Sequence, residues 1–223
     1  ILEISQSNIE NLIYISTCSN YGLIEGNQLA NEKHILNPLS LYAKHKVEIE
    51  NFVMNINNVN FCPTVLRFAT AFGFSKRMRL DLTVNEFIYE MCFNKKLLVY
   101  DPDTWRPYCH VKDFARLIEK IITTNKDVIK NQIYNAGSDE NNYTKRQIVS
   151  LISNYITDCE ISYQEHGSDP RNYRVSFQKL EKDLNFKTGH NLKENIPTLI
   201  QEIKKTKFLE KKNYGNYLIN KND

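Results

Sequence analysis

Tyr42 and Lys46 stand four residues apart in the stretch from Ser40 to Ile56. The apolar residues of that stretch recur at helical spacing, so the phenol and the ammonium share one helix face. A tyrosine ionises near about pH 10, and each unit of lowering corresponds to about 1.4 kcal/mol of stabilisation of the phenolate. A fixed cation beside it supplies such stabilisation, and a hydroxyl tuned towards neutrality can pass a proton to or from a substrate alcohol. Tyr-x-x-x-Lys is a short pattern, however. In a chain with 13 Tyr and 29 Lys plus Arg, an amphipathic surface helix shows the same spacing by chance.

The elements around the pair give it weight. Asn11 to Ser16 is an apolar run of strand length that exits into Thr17, Cys18 and Ser19, the place where open α/β sheets put their ligands. Helix capping and turn chemistry use the same small polar residues, and Gly22 permits the turn. Pro38 precedes the Tyr42 helix. A second strand, Phe61 to Phe68, again ends in small residues, Ala69 to Gly73. Strand, helix and strand joined in this way predict a parallel βαβ unit.

Farther on, Lys76, Arg77 and Arg79 precede an amphipathic helix ending near Met91; such a basic cluster suits phosphate, or is simply solvated. Short strands are predicted at Leu97 to Tyr100, Pro107 to Val111, Gln132 to Gly137 and Glu160 to Gln164. Helices are predicted over Lys112 to Ile122, Tyr143 to Tyr155, Phe177 to Leu184 and Leu192 to Thr206, with Asp113 favourably placed in a first turn. Gly167 to Arg174 is a loop with two more arginines. Lys207 to Asp223, rich in Lys, Asn and Tyr, reads as an exposed, partly disordered tail. Ile1 to Glu10 looks like the end of a helix, an odd start for a domain, which leads to the expectation that residues upstream are missing.

The 223 residues are 41% hydrophobic and 25% charged, ordinary for a globular chain that forms one domain or a domain with a small lobe. A formal charge of +3 with scattered lysines argues against a nucleic-acid binder. There is no apolar run of membrane-spanning length and no leader pattern, so the expected setting is the cytoplasm. Five cysteines, at 18, 62, 92, 109 and 159, include no Cys-x-x-Cys, which speaks against a disulfide framework or a zinc knuckle.

Ser16-Thr-Cys-Ser-Asn-Tyr-Gly22, Tyr42-Ala-Lys-His-Lys46, Leu66-Arg-Phe-Ala-Thr-Ala-Phe-Gly73, Trp105-Arg-Pro-Tyr-Cys-His-Val-Lys-Asp113 and Tyr134-Asn-Ala-Gly-Ser138 follow one another in order. Together, over roughly residues 10 to 200, they resemble the extended short-chain dehydrogenase/reductases. More narrowly, they resemble the NAD-dependent epimerase/dehydratases that act on nucleotide sugars. The resemblance implies an α/β fold: a Rossmann-like parallel sheet, here without its amino-terminal strands, and a smaller α+β substrate-binding lobe. It divides the chain into a cofactor-domain remnant (1–73), a lobe interleaved with returning Rossmann elements (74–206) and the tail (207–223). It further implies that Tyr42 is the catalytic acid/base, that Lys46 holds the nicotinamide ribose and lowers the Tyr42 pKa, and that Thr17 hydrogen-bonds the same sugar oxygen. Phe68 and Ala69, with Thr70, would line the nicotinamide pocket. Cys18, Ser19, Thr70, Asn85, Arg106 and Arg171 would meet the substrate, the last three at its diphosphate, with Arg174 in reserve. The expected cofactor is NAD, or NADP, and the expected ligand a nucleotide-diphosphate sugar. Relatives of this kind commonly dimerise through the Tyr42 helix and the one before it, so a homodimer is an expected assembly.

Two departures from the family pattern stand out. The seven glycines form no Gly-x-x-Gly-x-x-Gly, the turn that seats the pyrophosphate, so this stretch alone is expected to bind NAD poorly. The 4,6-dehydratases of the family carry an Asp-Glu pair directly after the Thr, where Cys18 and Ser19 stand here. That disfavours a dehydratase and leaves an epimerase working through a 4-keto sugar, a keto-sugar reductase, or a non-catalytic nucleotide-sugar-binding lobe. A Cys18 thiol with a lowered pKa could serve as an acid/base; a small buried residue is the plainer role.

Overall fold

The computed structural model describes residues 10–26, 28–56, 61–165, 169–208 and 210–216. The chain begins with β1 (Asn11–Thr17), a 3-10 turn (Cys18–Tyr21), β2 (Leu29–Ala30) and α1 (Leu41–Met54). Next come β3 (Cys62–Phe68), β4 (Thr70–Phe72), α2 (Thr83–Tyr89) and β5 (Lys96–Tyr100). β6 (Trp105–His110), α3 (Val111–Thr123), α4 (Lys126–Ile129), β7 (Gln132–Ala136), β8 (Asn142–Thr144) and α5 (Lys145–Ser153) follow. The last elements are β9 (Glu160–Gln164), β10 (Arg174–Val175), α6 (Gln178–Leu184) and α7 (Leu192–Lys205).

β1, β3 and β7 form a parallel sheet in that order. β3 is buried along nearly its whole length, as its continuous apolar run requires of a central strand. The register puts Thr17 level with Phe68 and Phe68 level with Ala136, so the small-residue exits of three strands share one edge. α1 starts where Ser40 Oγ accepts the Ala43 N–H at 3.2 Å, an N-cap that satisfies one of the helix's orphan donors. It packs on β1, on the 3-10 turn and on β3.

Two apolar cores result. One, with Leu66, Phe114, Leu117, Tyr134 and Leu180, lies between this sheet and α3 and α6. The other, with Leu80, Ile88, Met91, Ile148, Ile196 and Leu199, fills the space among α2, α5 and α7. The fold is thus α/β, with a parallel sheet and a second, more helical body beside it. Among the described residues no helix is long and apolar enough to cross a membrane.

Three expectations need correction. The segment after the second strand is not wholly a turn: Thr70 to Phe72 is β4, which pairs parallel to β6. β2 and β10 form a two-stranded sheet too short for sequence periodicity to register. The tail is not simply exposed. The Leu80 N–H donates to Tyr214 O at 2.6 Å, Lys211 reaches Glu86 at 2.9 Å, and Phe208 sits edge-on to Tyr89 and Tyr214, so Phe208, Lys211 and Tyr214 strap α2 and the segment before it. The expected helix remnant at Ile1 to Glu10, apart from Glu10, and the last seven residues of the tail lie outside the described residues.

The crossing from β1 towards α1 depends on Gly22. Its φ is +67°, and a Cβ there would lie 1.9 Å from Asn37 O, a clash with backbone that no rotamer relieves. Gly22→Ala should therefore lower the unfolding free energy in urea by about 2 kcal/mol or more. Unchanged stability would show that the turn is not held as described.

Candidate active site

α1 carries Tyr42 and Lys46 to the edge strand of the sheet. Lys46 Nζ donates to Ile15 O at 2.7 Å and lies 5.0 Å from the centre of the Tyr14 ring and 5.7 Å from that of Tyr42. Tyr42 is 55% exposed. Burial lowers the pKa of the ammonium, and the Glu50 carboxylate opposes this. The neighbouring Tyr14 phenol is pushed up to about 12 by burial, then by the charges of Glu50 and Tyr42. Thr17 ends β1, and its Oγ1 accepts the Ser19 N–H at 3.1 Å, which leaves its own proton to donate elsewhere.

One turn beyond Lys46 lies a residue that the sequence reading missed. Glu50, 2% exposed, faces Arg67 of β3, 3% exposed, with Nη2 to Oε2 at 2.8 Å and Nε within 3.2 Å of both oxygens. Ser16 Oγ donates to Glu50, and Asn20 Nδ2 donates to it at 2.7 Å. Arg67 Nη1 also donates to the Tyr21 hydroxyl at 3.1 Å, which in turn donates to Asn135 Oδ1 at 2.7 Å. A sequence signal existed: an arginine inside an otherwise apolar strand, and a carboxylate one helical turn past Lys46 on the same face.

The Cys18 thiol points into the core and donates to Arg67 O at 3.1 Å. It is 1% exposed, and burial pushes its pKa well up despite Arg67. Of the two roles open to it in the sequence, at the substrate or as a small buried residue, the burial fits the second. Asn85 is likewise buried at 3%; Gly73 N donates to its Oδ1 at 3.3 Å and its Nδ2 donates to Arg79 O at 3.0 Å, so it braces the loop. Arg79 pairs with Asp81 at 2.7 Å and Arg77 donates to Asn216 at 3.1 Å, so both already have protein partners. Phe68 stacks on Phe114 at 3.8 Å, Ala69 N–H donates to Ala136 O at 3.0 Å, and Thr70 is partly exposed at the head of β4.

Ser19 and Arg171 do come together. Asn172 bonds with Gly22 and Ile24 across a parallel bridge, which brings Arg171 Nη1 to within 3.0 Å of Ser19 Oγ. The Ser19 hydroxyl also pairs with the Tyr173 hydroxyl at 3.3 Å. Arg106, only 5% exposed, lies over the Tyr173 ring at 5.1 Å and joins Arg171 through Asp169. α1 thus sets Lys46, with the Tyr42 ring beside it, against β1, which ends in Thr17, and a guanidinium cluster lies beside Ser19.

Residues 1–137 match the profile of the NAD dependent epimerase/dehydratase family. The chain belongs to that family. A curated relative, Protein CapI of Staphylococcus aureus, is 27% identical over 88% of this chain and 64% of its own length. Among solved structures, a UDP-glucuronic acid 4-epimerase from Bacillus cereus, in complex with UDP-glucuronic acid and NAD, superposes with a TM-score of 0.78. It is 23% identical, over 91% of this chain and 64% of that one. A dTDP-glucose 4,6-dehydratase from Bacillus anthracis, in complex with NAD, gives a TM-score of 0.74 at 21% identity, over 87% of this chain and 62% of that one. These structures share the fold with the family member described here. The chain spans less than two thirds of the length of each of these three relatives.

A family member with Cys18 in an acid/base role would need a reactive thiolate. The buried thiol should instead resist iodoacetamide at pH 8 in the native chain and become labelled only as the protein unfolds. Labelling of native Cys18 at the rate of a free thiol, read by peptide mass spectrometry, would contradict this placement.

Proposed function

We propose that the protein is a nucleotide-sugar epimerase that works with NAD by transiently oxidising a sugar hydroxyl, at C4, to a ketone and reducing it on the other face. The observation that carries this reading is the placement of Tyr42 and Lys46 on one face of α1, against the outlet strand that ends in Thr17. The chemistry of that donor set fits the nicotinamide-ribose end of NAD: an ammonium with three donors, one of them on Ile15 O, beside two hydroxyls. When bound, NAD supplies reversible two-electron oxidation of the carbinol carbon.

The chain's own residues do the rest. Tyr42 takes the hydroxyl proton as the ketone forms and returns it as the ketone is reduced. Lys46 holds the ribose hydroxyls and stabilises the phenolate by its charge. Thr17 donates a hydrogen bond to the same sugar oxygen. Phe68, Ala69 and Thr70 line the space where the sheet ends, and Ser19 with Arg171 receives the diphosphate, which suits a guanidinium fork. The position after Thr17 holds a buried thiol and the next a hydroxyl that accepts from Arg171, neither of them an acid for eliminating water, which supports an epimerase over a dehydratase. A homodimer through α1 belongs to the same reading, supported by the exposure of Leu41, Ile49 and Phe52 on that helix.

The test uses the protein expressed from its complete gene, a panel of nucleotide sugars and catalytic NAD. Epimer should form with no net consumption of cofactor, and Tyr42→Phe should lower turnover by about 10²- to 10⁴-fold while substrate binding persists. Turnover unchanged in Tyr42→Phe would overturn the mechanism. Consumption of one cofactor per product would replace the epimerase with a reductase.

A further inference from the structure

Arg106 and Arg171 converge on one carboxylate. Asp169 Oδ1 accepts from Arg171 Nε at 2.7 Å and from its backbone N–H at 3.2 Å, while Oδ2 accepts from Arg171 Nη2 at 2.7 Å and Arg106 Nη2 at 3.0 Å. One guanidinium forked onto a planar anion, with a second donating a single bond to it, is the reception a phosphate would receive. Burial alone would raise the Asp169 carboxyl, but the hydrogen bonds of Arg171 and the charges of both arginines hold it well below the usual carboxylate range.

We propose that Asp169 is a specificity-determining residue, an internal anion that fills the Arg106–Arg171 fork and that a ligand's diphosphate must displace. This rests on the reading of Ser19 and Arg171 as the diphosphate site and extends that site to Arg106. The geometry says which groups exchange. The Arg106 side chain is 6% exposed and Nη1 is held by Trp105 O at 2.8 Å and by Arg171 O, so it stays. Asp169 is 34% exposed and can rotate to water. Ser19 Oγ keeps hold of Arg171 Nη1, so the fork stays aimed when the carboxylate leaves. A small anion with no other contacts must compete with a carboxylate tethered in place. A nucleotide that is also held by its base and sugar brings further binding energy to that exchange. Asp169 thereby keeps orthophosphate out of a site built for a nucleoside diphosphate.

The experiment measures orthophosphate and UDP binding by calorimetry to the protein expressed from its complete gene and to Asp169→Asn, whose amide keeps the shape but gives up the charge. Asp169→Asn should bind orthophosphate at least about tenfold tighter, with UDP no weaker than before. Unchanged or weaker binding of orthophosphate would overturn the proposal and make Asp169 a residue that positions the arginines. A readout on the natural protein covers the case of a misfolded variant. The Arg171 amide, now bonded to Asp169, should exchange its hydrogen faster when UDP binds, and slower or unchanged exchange would overturn the displacement. Arg171→Ala tests the underlying reading separately: UDP affinity unaffected by it would remove the diphosphate site, and with it this inference.

Discussion

The buried pair of Glu50 and Arg67 is the constraint on which the rest of the site depends. Two charges taken out of water are tolerated only where their remaining donors and acceptors are met, and here Ser16, Asn20, Tyr21 and the Glu32 carbonyl meet them. Those partners come from β1, from the turn after it and from the segment leading to α1, while the pair itself joins α1 to β3. Every element that carries a proposed catalytic group is therefore tied to one ion pair. Lys46 lies one turn earlier on the same face as Glu50, so fixing Glu50 fixes the reach of Lys46 to Ile15 O. Removing one partner of such a pair typically destabilises by about 3–5 kcal/mol, because the other charge is left buried alone.

The second half of the site is held by backbone rather than by charge. Asn172 bonds to both sides of Gly22 and Ile24, and β10 lies beside β2. These short pairings draw residues 169–175 across the chain to the outlet of the sheet. Arg171 thus reaches Ser19 from more than 150 residues away in sequence. Tyr42 and Lys46 belong to a different part of the chain from Arg171, and the turn from Thr17 to Gly22 serves both: its Asn20 side chain binds Glu50, and its Ser19 hydroxyl binds Arg171.

Much of this was legible in the sequence where one residue type has one physical use. The apolar runs at β1 and β3, the helical spacing around Tyr42 and the glycine at 22 predicted the βαβ unit within one or two residues at each end. Motif order carried the family assignment further than any single motif could. Long-range pairing was not legible. Asp169 and Arg106 are 63 positions apart, and nothing local marks them as partners. The resemblance put Arg106 and Asn85 at the diphosphate, but no local feature of the sequence foretold that both would be buried among protein acceptors and donors. Cys18 left two readings open, a thiol acid/base or a small buried residue, and its burial agrees with the plainer of them.

The central claim is that the Glu50–Arg67 pair holds in place the helix that carries Tyr42 and Lys46. The direct measurement is amide hydrogen exchange in Arg67→Met, compared with the natural protein, for α1 and for α7, which belongs to the other core. The account predicts that amides of Leu41 to Met54 lose protection well before those of Leu192 to Lys205. Equal changes in the two helices, or none in α1, would contradict it.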